Sequence, residues 1–418
     1  MTDHTHAQVH RIRRMSGRDP HEEGRVSSPL ELLFDLTFVI AVGVAATYLA
    51  EVTAEGHILP ALLGFGFATF AITWAWINFT WFASAFDTDD WVYRAMTMVQ
   101  MVGVVILALG IPAMFQSIEE GHHLDNRVIV AGYVVMRVAM ISQWLRVAKQ
   151  SPEYRATALR YAKGVGLAQI GWVVVAIVEL PLVPTLCLTT ALTVFEMLVP
   201  GWAESTAKPT PWHPHHIAER YSLFAIIALG EGLVGTIASS TGVLGGEHGG
   251  HWTWDAVAVV IAGVGLTFGL WWIYFINPFG KVLEHRPQYA WLFGYGHIIV
   301  FGSIVAVGAA LHLAGLYVEH HTELSATQVI TFIAVPIAIY IVSIYVIHLA
   351  LLPVWSWLYA WMIASALIVL GLAIVLAAAG VSVPVCLLIV MVAPFIQVVG
   401  YEWRGHNFQQ QALDELSD

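Results

Sequence analysis

The stretch ELLFDLTFVI, residues 31–40, decides how the chain is read. Its apolar residues open a segment of the length needed to cross a membrane, roughly 20 residues for a ~30 Å hydrocarbon core. Glu31 and Asp35 lie inside its first turns, four residues apart, so on a helix they project from one face. Carboxylates are expensive at that depth. Glu31, close to the N-terminus, is eased by the helix dipole, whereas Asp35 lies past that help and calls for an interhelical partner or a hydrated crevice.

The rest of the 418-residue chain fits the same setting. It is 58% hydrophobic and 11% charged, against roughly 25% charged in soluble domains, so an integral membrane protein is expected. Apolar windows bounded by polar or Gly/Pro clusters predict twelve helices. They start near Leu30, Ile58, Trp91, Arg127, Arg160, Leu182, His216, Trp254, Ala290, Ala326, Trp355 and Val381. Apart from Arg127 and Arg137, every Lys and Arg falls in the N-terminal tail, at an even-numbered connection or at the C-terminus, with Arg146 counted in its adjoining loop. The positive-inside rule then puts both termini in the cytoplasm.

Short matches recur in order between the halves: Glu31 with Glu219, Trp74 and Trp76 with Trp271 and Trp272, Gln100 with His297, and VPTLC (183–187) with VPVC (383–386). They point to two parallel six-helix repeats, and to a polar site between them. The expected organisation is a cytoplasmic polar tail (1–29, expected to be mobile), a first repeat (30–200), a cytoplasmic connection (201–215), a second repeat (216–403) and a cytoplasmic C-terminal tail (404–418). The fold class is all-α and polytopic, in a bacterial inner membrane.

Ionisable residues within the spans are the functional candidates. Arg137 lies near mid-span and is expected to meet Glu231 or another carboxylate in the interior; Asp35 and Glu196 are less deep ionisable candidates. HPHHIAER (213–220) brings His216, Glu219 and Arg220 to the start of the seventh helix, and reads first as a hydrated helix start. In FDTDDWVYR (86–94) the acids suit a helix N-terminus, with Arg94 free to pair with them or with Glu31. Trp74, Trp76 and Trp81, and likewise Trp271, Trp272 and Tyr274, read as an interfacial aromatic belt. No zinc-protease motif, serine elbow, Walker loop or dinucleotide fingerprint occurs, so no catalytic residue, metal or cofactor is assigned. No basic stripe suggests nucleic acid. Cys187 and Cys386 read as reduced, packed thiols.

ELLFDLTFVIAV, DTDDWVYR, YVVMRVAMISQWLR, HIAERYSLFAIIALGEGLV, LWWIYF and GYGHIIVFGSIVAVG together resemble the bacterial low temperature requirement A family. The resemblance implies a multi-helix inner-membrane protein associated with growth in the cold, without a settled biochemical activity. It carries over Glu31, Asp35, Asp90, Arg94, Arg137, His216, Glu219, Arg220, Glu231 and His297. Leu33 and Tyr221 depart from the family pattern, and neither touches a charged position. The candidate binding set is therefore Glu31, Asp35, Arg94, Arg137, His216, Glu219, Arg220, Glu231 and His297. The leading expectation is a transporter or permease for a small molecule or ion, with the bilayer as its surroundings. The alternatives are a membrane-embedded enzyme acting on lipid or an isoprenoid carrier at the cytoplasmic face, and a membrane-state sensor.

Overall fold

The computed structural model describes residues 12–205, 207–245, 253–352 and 356–417. These residues form helices and no strands. The helices are α1 (Pro29–Ala54), α2 (Ile58–Phe86), α3 (Trp91–Glu120), α4 (Arg127–Gln150), α5 (Arg155–Ile177), α6 (Leu182–Glu204), α7 (Pro214–Gly245), α8 (Trp254–Phe275), α9 (Phe279–His285), α10 (Ala290–Val318), α11 (Ala326–Leu351), α12 (Trp357–Ala378), α13 (Val383–Gly400) and α14 (His406–Ser417). Twelve are long, and eleven of those are both long and apolar enough to cross a membrane; α5, with Arg155, Arg160 and Lys163 in its first turns, is the exception. The protein is thus an all-α polytopic membrane protein. The expected start at Trp355 lies outside the described residues, as do residues 1–11, 206 and 418 of the expected polar segments.

Local chemistry sets the helix ends. Asp90 caps α3 by accepting the Tyr93 N–H at 2.9 Å, and Gly121 ends that helix at φ 76°, a left-handed conformation glycine adopts without strain. Ser325 and Gln328 form a capping box at α11. At α1 the same device is built from Ser28 and Glu31: the Glu31 N–H donates to Ser28 Oγ (3.3 Å), and the Ser28 N–H donates to Glu31 Oε2 (2.8 Å).

The opening stretch is inside out relative to a soluble helix. Glu31 and Asp35 are each 1% exposed, while Leu33 and Leu36 are 46% and 59% exposed. This is the membrane arrangement, with the leucines facing the side that lipid covers and the acids turned inward.

The chain forms two compact units. Ala71–Ile217, with the described part of Met1–Val44, makes the first; Ala45–Phe70 with Ala218 onward makes the second. In the first, α3, α4, α5 and α6 pack in succession. Gly103 and Gly132 let α3 and α4 approach so closely that a Cβ at Gly132 would lie 2.5 Å from the Gly103 carbonyl oxygen. In the second, α10 packs on α11, α11 on α12, and α13 on both α12 and α8.

The tail expected to be mobile is docked over its described part. Met15 is fully buried, its N–H donating to Gln150 Oε1 (2.7 Å) and its carbonyl accepting from Ser151 Oγ (2.6 Å). The Arg18 N–H donates to the Ala85 carbonyl at 2.9 Å. Its polar side chains find partners on the helix ends, which overturns the expectation drawn from composition. Likewise residues 406–417 form α14, where Gln409 donates to the Ile276 carbonyl (3.0 Å). Both cysteines are free; Cys386 is buried as expected, but Cys187 is exposed.

Candidate functional site

At the N-terminal end of α1, a group of ionisable side chains is closed off from solvent. Glu31, already fixed by its capping box, presents Oε1 to His216 Nε2 at 3.2 Å, and both side chains are buried. His216 sits in the first turn of α7. It is oriented through His213, whose Nδ1 accepts the His216 N–H (3.2 Å) and whose own N–H donates to Ser84 Oγ (3.0 Å).

Arg25, three residues before the cap, has a buried side chain and donates from Nη2 to the Ala83 carbonyl (3.0 Å). Burial pulls it below its ordinary value, partly restored by the negative charges of Glu31 and Asp87. Asp87, just past α2, is pushed up to about 6 by burial, with the Glu31 charge acting in the same direction. Arg25 and Asp87 are the members of this group that sequence reading missed. The signal available was their position, each in a short polar stretch abutting an apolar helix.

Asp35 has the interhelical partner its depth called for: Oδ1 accepts the Trp76 indole N–H at 2.7 Å. Its phenylalanine neighbours pack alongside, Phe34 against Phe79 with ring centroids 3.9 Å apart. Trp76 is therefore a core residue and not part of an interfacial belt.

The same correction applies to Trp74, and it explains Arg137. Glu196 on α6 accepts the Trp74 indole N–H (2.6 Å) and Arg137 Nη2 (2.9 Å) on one oxygen, and the Trp172 indole N–H (2.9 Å) on the other. The guanidinium also lies over the Tyr133 ring, 5.1 Å from its centroid. The carboxylate that Arg137 meets is Glu196, not Glu231. Four helices, α2, α4, α5 and α6, converge on one satisfied acid. That is how a buried ion pair becomes tolerable, because the donors replace the lost water.

Arg94 pairs with an acid of its own stretch, the first of the two partners expected for it, and not with Glu31. It forms a half-exposed pair with Asp89 (2.7 Å), while Asp90 is bonded by Arg146 and by the Arg13 N–H. Burial pushes Asp90 up, but these bonds and the Tyr93 N–H more than offset it and leave Asp90 below its ordinary value.

In the second unit, His297 is sealed in an aromatic cage. Its Nδ1–H donates to the Phe293 carbonyl (2.6 Å), so Nε2 accepts from the Tyr274 hydroxyl (3.0 Å), and the Tyr221 ring stands edge-on at 4.9 Å. Tyr274 belongs to this core, whereas Trp271 and Trp272 are exposed, as an aromatic belt requires. Glu219 and Arg220 follow His216 by three and four residues on α7, Arg220 fully buried and Glu219 partly exposed. Glu231 lies further along the same helix, 7% exposed.

The sequence model of the family described as bacterial low temperature requirement A protein matches residues 26–394, most of the chain. The chain belongs to the LtrA family. The matched region takes in every LtrA position discussed from Glu31 to His297, and leaves out the docked segment 12–25. An uncharacterized protein of Rhizobium meliloti (strain 1021) is 26% identical over 311 residues, covering 71% of each chain.

Proposed function

We propose that this LtrA-family protein is a transporter or permease for a small molecule or ion, and that its polar site is the buried cluster at the start of α1. The observation that supports this most is the Glu31–His216 pair, 3.2 Å apart and closed to solvent where a membrane-spanning helix begins. Arg25 and Asp87 act on the same acid. Withdrawing several ionisable groups from water at one place is costly and is characteristic of substrate and ion pathways. A packing role needs only one cation, as Glu196 illustrates, with Arg137 as its one charged partner beside two indole donors. Asp35, one turn deeper on the same face of α1, continues the polar track inward.

The test begins by finding a ligand: purified protein is screened against ions and metabolites for thermal stabilisation, which follows binding by mass action. Hits are then assayed for flux in proteoliposomes. Glu31→Gln and His216→Asn are expected to fold and to lose flux by roughly tenfold or more, equivalent to about 1.4 kcal/mol or more. The double variant Arg137→Met/Glu196→Gln, if it folds, is expected to keep flux. Wild-type flux in both cluster variants would defeat the proposal. So would ligand-free conversion of a lipid by the purified protein, which is the enzyme's signature.

A further inference from the structure

Among the described residues, Glu196 and Glu231 are buried glutamates beyond the first turn of their helices, and they are treated in opposite ways. Glu196 is 4% exposed and receives three hydrogen bonds, one of them from a guanidinium. Glu231 is 7% exposed, and among the described residues no hydrogen bond or ion pair engages its carboxyl. It lies on α7 nine residues before Ser240, so about 14 Å from that end of the span at 1.5 Å per residue.

The surroundings offer it little. Gly308 of α10 packs directly on its backbone, where a Cβ would lie 2.5 Å from the Glu231 carbonyl carbon, and Thr267 of α8 packs on the adjacent Gly232. The nearby hydroxyls are committed to carbonyls: Thr236 to Gly232 (2.6 Å), Thr267 to Gly263 (3.0 Å), and Ser239 to Leu311. The titratable groups on the packed helices are Asp255 and Tyr274 on α8, and Tyr295, His297, His312 and Tyr317 on α10. Of these, His297 and Tyr274 bond each other. None supplies a cation to Glu231.

An ionised carboxylate without donors in such a place costs far more than a neutral acid, and the group takes up a proton instead. We infer that Glu231 is a proton-binding site, holding its carboxyl as a neutral acid inside the second unit and open to modification by apolar carboxyl reagents. Glu196 has both oxygens engaged by Arg137 and two indoles and is expected to resist the same reagents. The ligand of the site is the proton itself, and the inference stands apart from the transport proposal.

Dicyclohexylcarbodiimide distinguishes the two acids. A protonated carboxyl gives its proton to a carbodiimide nitrogen and its oxygen adds to the central carbon; migration of the acyl group to nitrogen leaves a stable N-acylurea containing the whole reagent. The protein in liposomes is treated at pH 6 and mapped by peptide mass spectrometry. The expected result is an adduct at Glu231 exceeding that at Glu196, whose two oxygens are already engaged by donors, by at least about tenfold. The Glu231 adduct is also expected to fall as the pH is raised, and to vanish in Glu231→Gln. Should that variant not fold, Glu231→Asp is expected to keep a labelled carboxyl at the same position. Equal labelling at Glu196, or no adduct at Glu231 in folded protein, would overturn the inference.

Discussion

Asp87 is held out of water just beyond α2, between the partly opposing effects of its neighbours. Burial and the Glu31 charge push its carboxyl up from 3.8 to about 6, while the Asp89 N–H at 2.8 Å and Arg18 at 3.5 Å pull the other way and do not prevail. Because the folded value is raised, the folded chain holds the proton more tightly than the unfolded one. The stability this contributes is complete below about pH 4 and is lost as the pH rises through about 6. Asp87→Asn removes the charge permanently. Its stability relative to wild type is expected to improve between pH 4 and pH 7 by up to about 3 kcal/mol, read from thermal unfolding across that range. A difference independent of pH would show that Asp87 does not titrate in this way. At this scale the sequence tells which residues are costly but not how the cost is met. Glu31, Asp35 and Arg137 stand out as charges in apolar segments. The partners of Asp35 and Arg137, Trp76 and Glu196, come from helices 41 and 59 residues away, a distance that local pattern does not span. Trp74 and Trp76 mislead for a related reason: read as lying near a helix end, they sit well before the end of α2 at Phe86, where each indole faces a buried carboxylate.

Helices α7 and α10 pack through glycine. A Cβ at Gly308 would meet the Glu231 backbone, and one at Gly235 would lie 2.1 Å from the Gly308 carbonyl oxygen. Backbone atoms cannot yield by a rotamer change, so the helices must separate. Gly308→Ala is expected to lower stability by about 1–3 kcal/mol through overpacking. The control is Gly371→Ala on α12, where nothing lies within 4 Å; there alanine is expected to be neutral or to stabilise by up to about 1 kcal/mol, as helix propensity favours it. Equal effects of the two substitutions in thermal unfolding would count against the close crossing. Element boundaries are the most legible feature of this chain. The starts at Ile58, Trp91, Arg127, Leu182, Trp254, Ala290 and Ala326 coincide with the observed ones, because a change from polar loop to apolar run is a local signal. The Ser28–Glu31 capping box with Pro29 between is equally local. Docking of residues 12–28 is not, because a polar segment that bonds to distant helix ends has the composition of one that stays in water.

For the molecule as a whole, the number of crossings turns on α5. Eleven helices are apolar enough to span by themselves, and α5 is not among them because Arg155, Arg160 and Lys163 occupy its first three turns. Two observations argue that it crosses nonetheless. It packs between α4 and α6, with Trp172 reaching the Glu196 carboxylate at 2.9 Å, so its far half belongs to the same interior as its neighbours. Its cations all lie at one end, where long side chains can extend to the headgroups. With α5 crossing there are twelve spans and the termini share a side; with α5 at the surface there are eleven and they do not. The distribution of Lys and Arg leads us to expect the first arrangement, with both ends on the cytoplasmic side under the positive-inside rule. Reporter fusions at both termini are therefore expected to give cytoplasmic fluorescence and no alkaline phosphatase activity. A cysteine introduced after Ile177 should react with an impermeant thiol reagent from outside the cell, while one placed at Lys163 should not. If the two termini report opposite sides, α5 does not cross, and the α5–α6 connection faces the cytoplasm.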